Sequence, residues 1–306
     1  MNPHNVRTLI FIFLCLLAFR LGAAESCTPN GVWLQVLGSG GPEITDRRAS
    51  SGYLIWVAGK ARLLVDAGAG VALHFGQSGA RFTDLDAIAF SHFHVDHSAD
   101  LPAFIKSGFF SGRDRDLPIY GPVGNSFMPA TTEFVQNLFG KKQGAFRYLA
   151  SYLDGGDEYR IKPHDIDISQ HQKRYQFQPY GLSLNAIPVH HGPVPALAWR
   201  VDVGGKSITF SGDMNGDWHS LELLAANTDL LVAHNAIPEE ARGVARFLHM
   251  PPSVIGRIAA TARVGRLVLS HRMNRTLGRE QDTLAEIRKA YSGKVDFADD
   301  MDCFRP

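Results

Sequence analysis

Four side chains able to bind a metal crowd into six consecutive positions, His92-Phe93-His94-Val95-Asp96-His97. At this chain's own residue frequencies, that spacing arises by chance in only about one or two sequences per thousand. The cluster follows Ala87-Ile88-Ala89-Phe90, a short apolar run that reads as a buried strand. Where a strand passes into a loop, alternate residues such as His92 and His94 point the same way, while Asp96 and His97 turn toward a second position. A single zinc ion needs three protein ligands and a water. A surplus of donors therefore implies a second ion or supporting residues elsewhere. The competing reading, a polar loop whose histidines cap a helix starting near Ser98, does not account for the density.

Further donors stand at the ends of three other apolar runs. His190-His191 follows Ile187-Pro188-Val189, Asp213 closes Phe210-Ser211-Gly212-Asp213, and His271 follows Leu267 to Ser270. Donors at strand ends sit on a stiff scaffold yet reach a common sheet edge, which suits a preorganised metal site. His190 and His191 face opposite ways on a strand, so one of them can join the cluster and the other cannot.

The surrounding pattern is mixed α/β. Val32 to Leu37, Tyr53 to Val57 and Arg62 to Val65 read as an opening meander, with Asp66 closing its third strand ahead of a helix reaching about Gln77. The second half repeats the logic with strands over Leu182 to Val189, Ala196 to Val203, Ser207 to Phe210, Asp229 to Ala233 and Arg266 to Ser270, and a helix near Arg279 to Tyr291. No repeat or linker separates the halves, so one four-layer αβ/βα sandwich over residues 25–306 is expected. The stretch from about Gly112 to Gln178 is the least periodic and is expected to carry substrate-contacting insertions, since irregular segments tend to lie on the surface.

Residues 1–24 are set apart as a signal peptide. Arg7 precedes eleven apolar residues, Leu9 to Phe19, and Leu21-Gly22-Ala23-Ala24 offers a small-residue cleavage site. Spanning a bilayer takes about 20 apolar residues, so no stable membrane span is expected after its removal. A periplasmic or secreted location follows. Of 31 basic residues Arg7 and Arg20 leave with the signal, so 29 face 30 acidic ones. Such a balance leaves no basic excess of the kind that would suggest a dedicated nucleic-acid binder held by phosphate contacts. Cys15 departs too, leaving Cys27 and Cys303 at opposite ends, either bridged or as two free thiols.

Through Ser-His-Phe-His-Val-Asp-His, Pro-Val-His-His-Gly-Pro-Val-Pro-Ala, Phe-Ser-Gly-Asp and Leu-Val-Leu-Ser-His, in that order, the sequence resembles the metallo-β-lactamase superfamily over roughly residues 31 to 303. It is most similar to the branch of ribonuclease Z, related phosphodiesterases and bacterial arylsulfatases. The resemblance implies two Zn2+ per chain, one held by His92, His94 and His191, the other by Asp96, His97 and His271, with Asp213 bridging. The family's His-Gly step favours His191 over His190. Asp66 matches a family position that fixes a histidine's tautomer rather than binding metal. Asp96 and His249 are the candidate catalytic residues, His249 as proton donor to a leaving oxygen, whereas a structural histidine there would cap the helix starting near Pro252. His234 also ends a strand and is read as a supporting residue. His74, His164, His171 and His219 belong to no constellation.

The expected chemistry is hydrolysis of a small-molecule ester, a phosphodiester or an aryl sulfate, with a hydroxide between the ions as nucleophile. Lys141-Lys142 is not the long basic arm with which ribonuclease Z holds transfer RNA, so no specific nucleic-acid partner is expected. Two rival chemistries share the core: a lactonase or β-lactamase acting on a cyclic carbonyl, and a mononuclear iron sulfur dioxygenase. A non-catalytic metal module would close its sphere with four ligands rather than gather seven. A homodimer stays open.

Overall fold

The computed structural model describes residue 27 and residues 30–306. The expected signal peptide lies outside the described residues. Alternating apolar residues build two seven-stranded sheets. The first contains Val32–Gly38 (β1), Gly52–Val57 (β2), Lys60–Val65 (β3), Ala87–Ala89 (β4), Leu117–Pro122 (β5) and Ile161–Ile166 (β6). The second contains Tyr175–Phe177 (β7), Ser183–His191 (β8), Val194–Val203 (β9), Lys206–Phe210 (β10), Leu230–His234 (β11), Arg266–Ser270 (β12) and Lys294–Phe297 (β13), after which Cys303–Phe304 (β14) returns to the edge of the first. The orders are β14-β1-β2-β3-β4-β5-β6 and β13-β12-β11-β10-β9-β8-β7.

The period of two along each strand sorts its side chains into separate cores. Tyr53 and Ile55 of β2, with Leu63 and Val65 of β3, join Trp199, Phe210 and Val232 in one apolar layer drawn from both sheets. Their neighbours Leu54 and Leu64 face the other way, onto Phe104, Ile105 and Phe139 from the helices Leu101–Gly108 and Thr131–Phe139. Ile187, Leu231 and Leu267 likewise meet Ile255 and Ile258 of the helix Pro252–Thr261 and Ile287 of the helix Glu280–Arg288. Three apolar layers between four layers of secondary structure make the αβ/βα sandwich that the sequence predicts.

Several expectations need correcting. The stretch from Gly112 to Gln178 is no mere surface insertion, because it supplies β5 and β6 of the first sheet and β7 of the second. Pro118, Pro122 and Pro163 within those strands mask the alternation, and β6 tolerates its proline as an edge strand. The last helix stops at Arg288, short of Tyr291. The helix expected near Ser98 already begins at Val95, so Asp96 and His97 are helical and not in a loop.

Two cross-sheet contacts hold the rims together where the histidines emerge. The Trp199 indole donates to Phe90 O at 2.9 Å, and Leu197 N donates to Ser91 O at 2.9 Å. Gly212 makes this approach feasible: it has φ +58°, and a Cβ there would lie 2.9 Å from both Leu197 O and the Ser91 Cβ. Among the described residues no helix is long and apolar enough to cross a membrane. Cys27 and Cys303 are bridged, with Cα atoms 5.4 Å apart across 276 residues of sequence.

Candidate functional site

The histidine segment is fastened before any ligand is considered. Asp66, in the left-handed region at φ 58° just beyond β3, accepts from Ser91 N at 2.7 Å and Ser91 Oγ at 2.8 Å, and its Oδ2 lies 2.8 Å from His97 Nδ1. A carboxylate accepts only, so His97 carries its proton on Nδ1 and turns the Nε2 lone pair inward. That Nε2 is buried and has no hydrogen-bond partner. Asp66 thus occupies the tautomer-fixing place read from the sequence. On the other side, His191 Nδ1 lies 2.9 Å from Leu248 O, which in the same way aims His191 Nε2 inward.

All seven predicted ligands meet. His92 Nε2 is 3.0 Å from His94 Nδ1, and His191 Nε2 is 3.4 Å from the same atom. Asp213 Oδ2 is 3.7 Å from both His191 Nε2 and His97 Nε2, and Asp213 Oδ1 is 3.4 Å from His271 Nε2. Asp96 Oδ2 lies 3.2 Å from His271 Nε2 and 3.5 Å from His97 Nε2. His190 does not join. Its Nδ1 turns to Asn215 at 2.9 Å, and its ring stacks on Trp218. His74, His164, His171 and His219 lie on Leu37 O, Tyr120, Trp218 and Glu222 respectively.

The electrostatics ask for cations. Burial lowers the proton affinities of His92, His94 and His191, so three neutral rings meet at His94 Nδ1, 3.0 and 3.4 Å from the other two. Burial opposes ionisation of Asp96 and Asp213. Even so, His97 and His271 hold the Asp96 carboxyl below the usual carboxylate range, and His271 and His249 do the same for Asp213. Burial also opposes charging of His97, yet Asp96 and Asp66 raise its proton affinity well above that of an ordinary histidine. A proton there answers the same field that a divalent ion would. This donor set of imidazole nitrogens and carboxylates, with partnerless lone pairs, fits zinc or a neighbouring transition metal.

His234 belongs to the support. Geometrically it falls among the second group of donors, with His97, Asp213 and His271. Its Nδ1 is 2.8 Å from Asp213 Oδ1 and its Nε2 is 3.0 Å from the Tyr53 hydroxyl, which also lies 2.9 Å from Ser270 Oγ. Burial pushes His234 down to about 4, so the ring is neutral with a single N–H. Asp213 requires that proton, and the Tyr53 hydroxyl, itself held protonated by burial, donates to the remaining lone pair. Both nitrogens of His234 are thus engaged, which makes it a positioning residue for Asp213. His234→Ala and Tyr53→Phe are expected to weaken metal affinity by about 10- to 100-fold and by a smaller factor respectively, read by titration against a chromogenic chelator.

His249 follows the short helix Val244–Leu248, and its Nδ1 is buried, without a partner, 3.7 Å from Asp213 Oδ2. Burial pushes it down to about 3, so the ring is neutral in the free site. Arg275 escaped the sequence reading. Its Nε donates to Ala236 O at 2.7 Å, and its charge is felt by both His249 and Asp213. Only its place four positions after His271 hinted at this.

The arrangement has counterparts among known proteins. The family description "Beta-lactamase superfamily domain" matches residues 61–272. Ribonuclease Z of Mycolicibacterium paratuberculosis is 28% identical over 279 residues, covering 87% of this chain and 95% of that one. A metallo-beta-lactamase fold protein from Bacillus subtilis superposes with a TM-score of 0.70 at 24% identity, over 89% of this chain and 98% of that one. The short form of human tRNase Z does so at 0.67 and 20%, over 89% and 98%. With two sheets, their helices and a His/Asp centre at the strand ends all in place, the chain belongs to the beta-lactamase superfamily domain family and is a metal-dependent hydrolase of the metallo-β-lactamase fold.

Proposed function

We propose that this hydrolase uses two zinc ions to cleave a small phosphodiester, with aryl sulfates as the related ester class, and that it works outside the cytoplasm. The observation that carries the reading is the place of Asp213, whose two carboxylate oxygens reach His191 on one side and His97 and His271 on the other. Under this reading His92, His94 and His191 would hold one ion and Asp96, His97 and His271 the other, with Asp213 between the two groups. Bound there, the ions would supply an acidified water as nucleophile and stabilise charge gathering on the attacked centre.

The protein's own residues supply the rest. Asp66 and Leu248 O fix the histidine tautomers. His234 keeps Asp213 from swinging toward either side. As one P–O bond forms and the ester P–O bond opposite it breaks, His249 passes a proton to the departing oxygen. It acquires that proton when the anionic substrate adds its charge to that of Asp213. The Cys27–Cys303 bridge supports an oxidising compartment, in keeping with the apolar leader read from the sequence.

The test is a parallel assay of bis-p-nitrophenyl phosphate, p-nitrophenyl sulfate, a lactone and a precursor tRNA, before and after EDTA. Phosphodiester turnover that disappears on chelation and returns with Zn2+ is expected. Turnover that survives complete metal removal refutes the reading. Precursor tRNA as the best substrate moves it to the activity named for the ribonuclease Z relatives, and a lactone moves it to carbonyl chemistry.

A further inference from the structure

Large apolar side chains left in solvent are ordinary when scattered, but five of them here are tied to the candidate metal ligands. Val95 stands between His94 and Asp96 and is 69% exposed. Phe247, 50% exposed, precedes Leu248 and His249, covers Gly192 beside His191, and meets the His190 ring edge-on at 5.3 Å. Val244, at the start of the same short helix, is 73% exposed.

Phe127, 62% exposed, sits on a loop whose Asn125 accepts from Phe127 N at 2.8 Å and donates to Pro193 O at 2.9 Å, two residues past His191. Ile44, 92% exposed, lies between Glu43 and Thr45. These two residues bond Asn274 N and Asn274 Nδ2 at 2.6 and 3.0 Å, three residues past His271. Four separate segments, each attached close to a candidate ligand along the chain or through a hydrogen bond, thus carry exposed apolar side chains.

We infer that this rim is a specificity subsite for an aromatic or branched aliphatic group of the ester. The occupant is taken to be the substrate's own organic group, because Val95 adjoins His94 and Asp96 and Phe247 packs over Gly192, next to His191, among the residues that would hold the reacting phosphoryl group. The inference rests on the hydrolase reading given above and adds to it the class of group carried by the ester. Removing an apolar group of phenyl size from water favours binding by more than tenfold when it is well covered.

The experiment compares p-nitrophenyl phosphodiesters that share one leaving group and differ in the retained group, phenyl against methyl. Wild type is expected to favour the phenyl ester by about tenfold or more in kcat/KM. In Phe127→Ser with Phe247→Ser that preference should fall roughly tenfold, mainly through KM. Phe110→Ser, an exposed aromatic outside this rim, serves as the surface control and should leave the ratio as it was.

A ratio near one in wild type, or one unmoved by the double substitution, overturns the subsite while leaving the hydrolase reading intact. The same holds if the double substitution turns a dimer into a monomer with an unchanged ratio, which would make the rim an interface between copies. Loss of turnover on both esters in wild type, with metal bound, instead overturns the reading on which the subsite rests.

Discussion

Asp213→Ala is expected to lower phosphodiester turnover by at least about a thousandfold and to leave the protein with one ion or none. The carboxylate lies within 3.7 Å of ring nitrogens from both groups of histidines, and no other described carboxylate does so. Its removal leaves the His234 Nδ1 proton facing other imidazoles. The stability consequence runs the same way in both states of the protein. His271 and His249 hold the buried Asp213 carboxyl well below the usual carboxylate range, so removing it strips those imidazoles of their partner and the metal-free variant should melt below metal-free wild type. The stabilisation that wild type gains on adding Zn2+ should be largely absent from the variant. Parallel melting curves and turnover measurements check both halves. Near-normal turnover with full metal content would contradict the shared position.

Cys303→Ser should be the largest single loss of stability outside the site. Closing a loop of 276 residues removes entropy from the unfolded chain worth about 5 kcal/mol in the chain-entropy model, and measured losses on deleting native bridges run at roughly 2–5 kcal/mol. The residue sits on β14, the two-residue strand that pairs with β1 at the edge of the first sheet. A fall in Tm of roughly 3–9 °C is expected, with kcat at 25 °C nearly unchanged because Cys303 touches none of the site residues. Wild type treated with a reductant should reproduce the shift. Identical melting of oxidised and reduced protein would show that the bridge contributes nothing.

What could be read in the sequence was set by how exacting the chemistry is. Metal ligation needs particular atoms at particular places, and the His92 to His97 segment, His271 and Asp213 each follow an apolar strand that the alternation reveals. The choice between His190 and His191 depended on which face of β8 turns inward, and a period of two by itself gives no direction. Leu248 O settles it physically, by taking the proton of His191 while Asn215 takes His190.

The support around Asp213 was harder to see. Tyr53 and Ser270 are 217 positions apart and meet His234 only because β2 and β12 face each other across the inner core. β5 and β6 were hidden by prolines and by the polar run Lys162 to Asp165 on the edge strand. The pairing of Cys27 with Cys303 could not be chosen from spacing alone, since it follows from β14 returning to β1. The apolar rim was invisible for the same reason. Ile44, Val95, Phe127 and Phe247 share nothing in sequence beyond closeness to residues that bond next to ligands.

Whether the scattered donors form one two-ion pocket is decided by counting metals by inductively coupled plasma mass spectrometry on purified protein, alongside turnover of bis-p-nitrophenyl phosphate in the same sample. Two zinc ions per chain are expected, with turnover rising as the second ion is restored to stripped protein. A single iron per chain with no ester turnover, or full turnover with no bound metal, would contradict it.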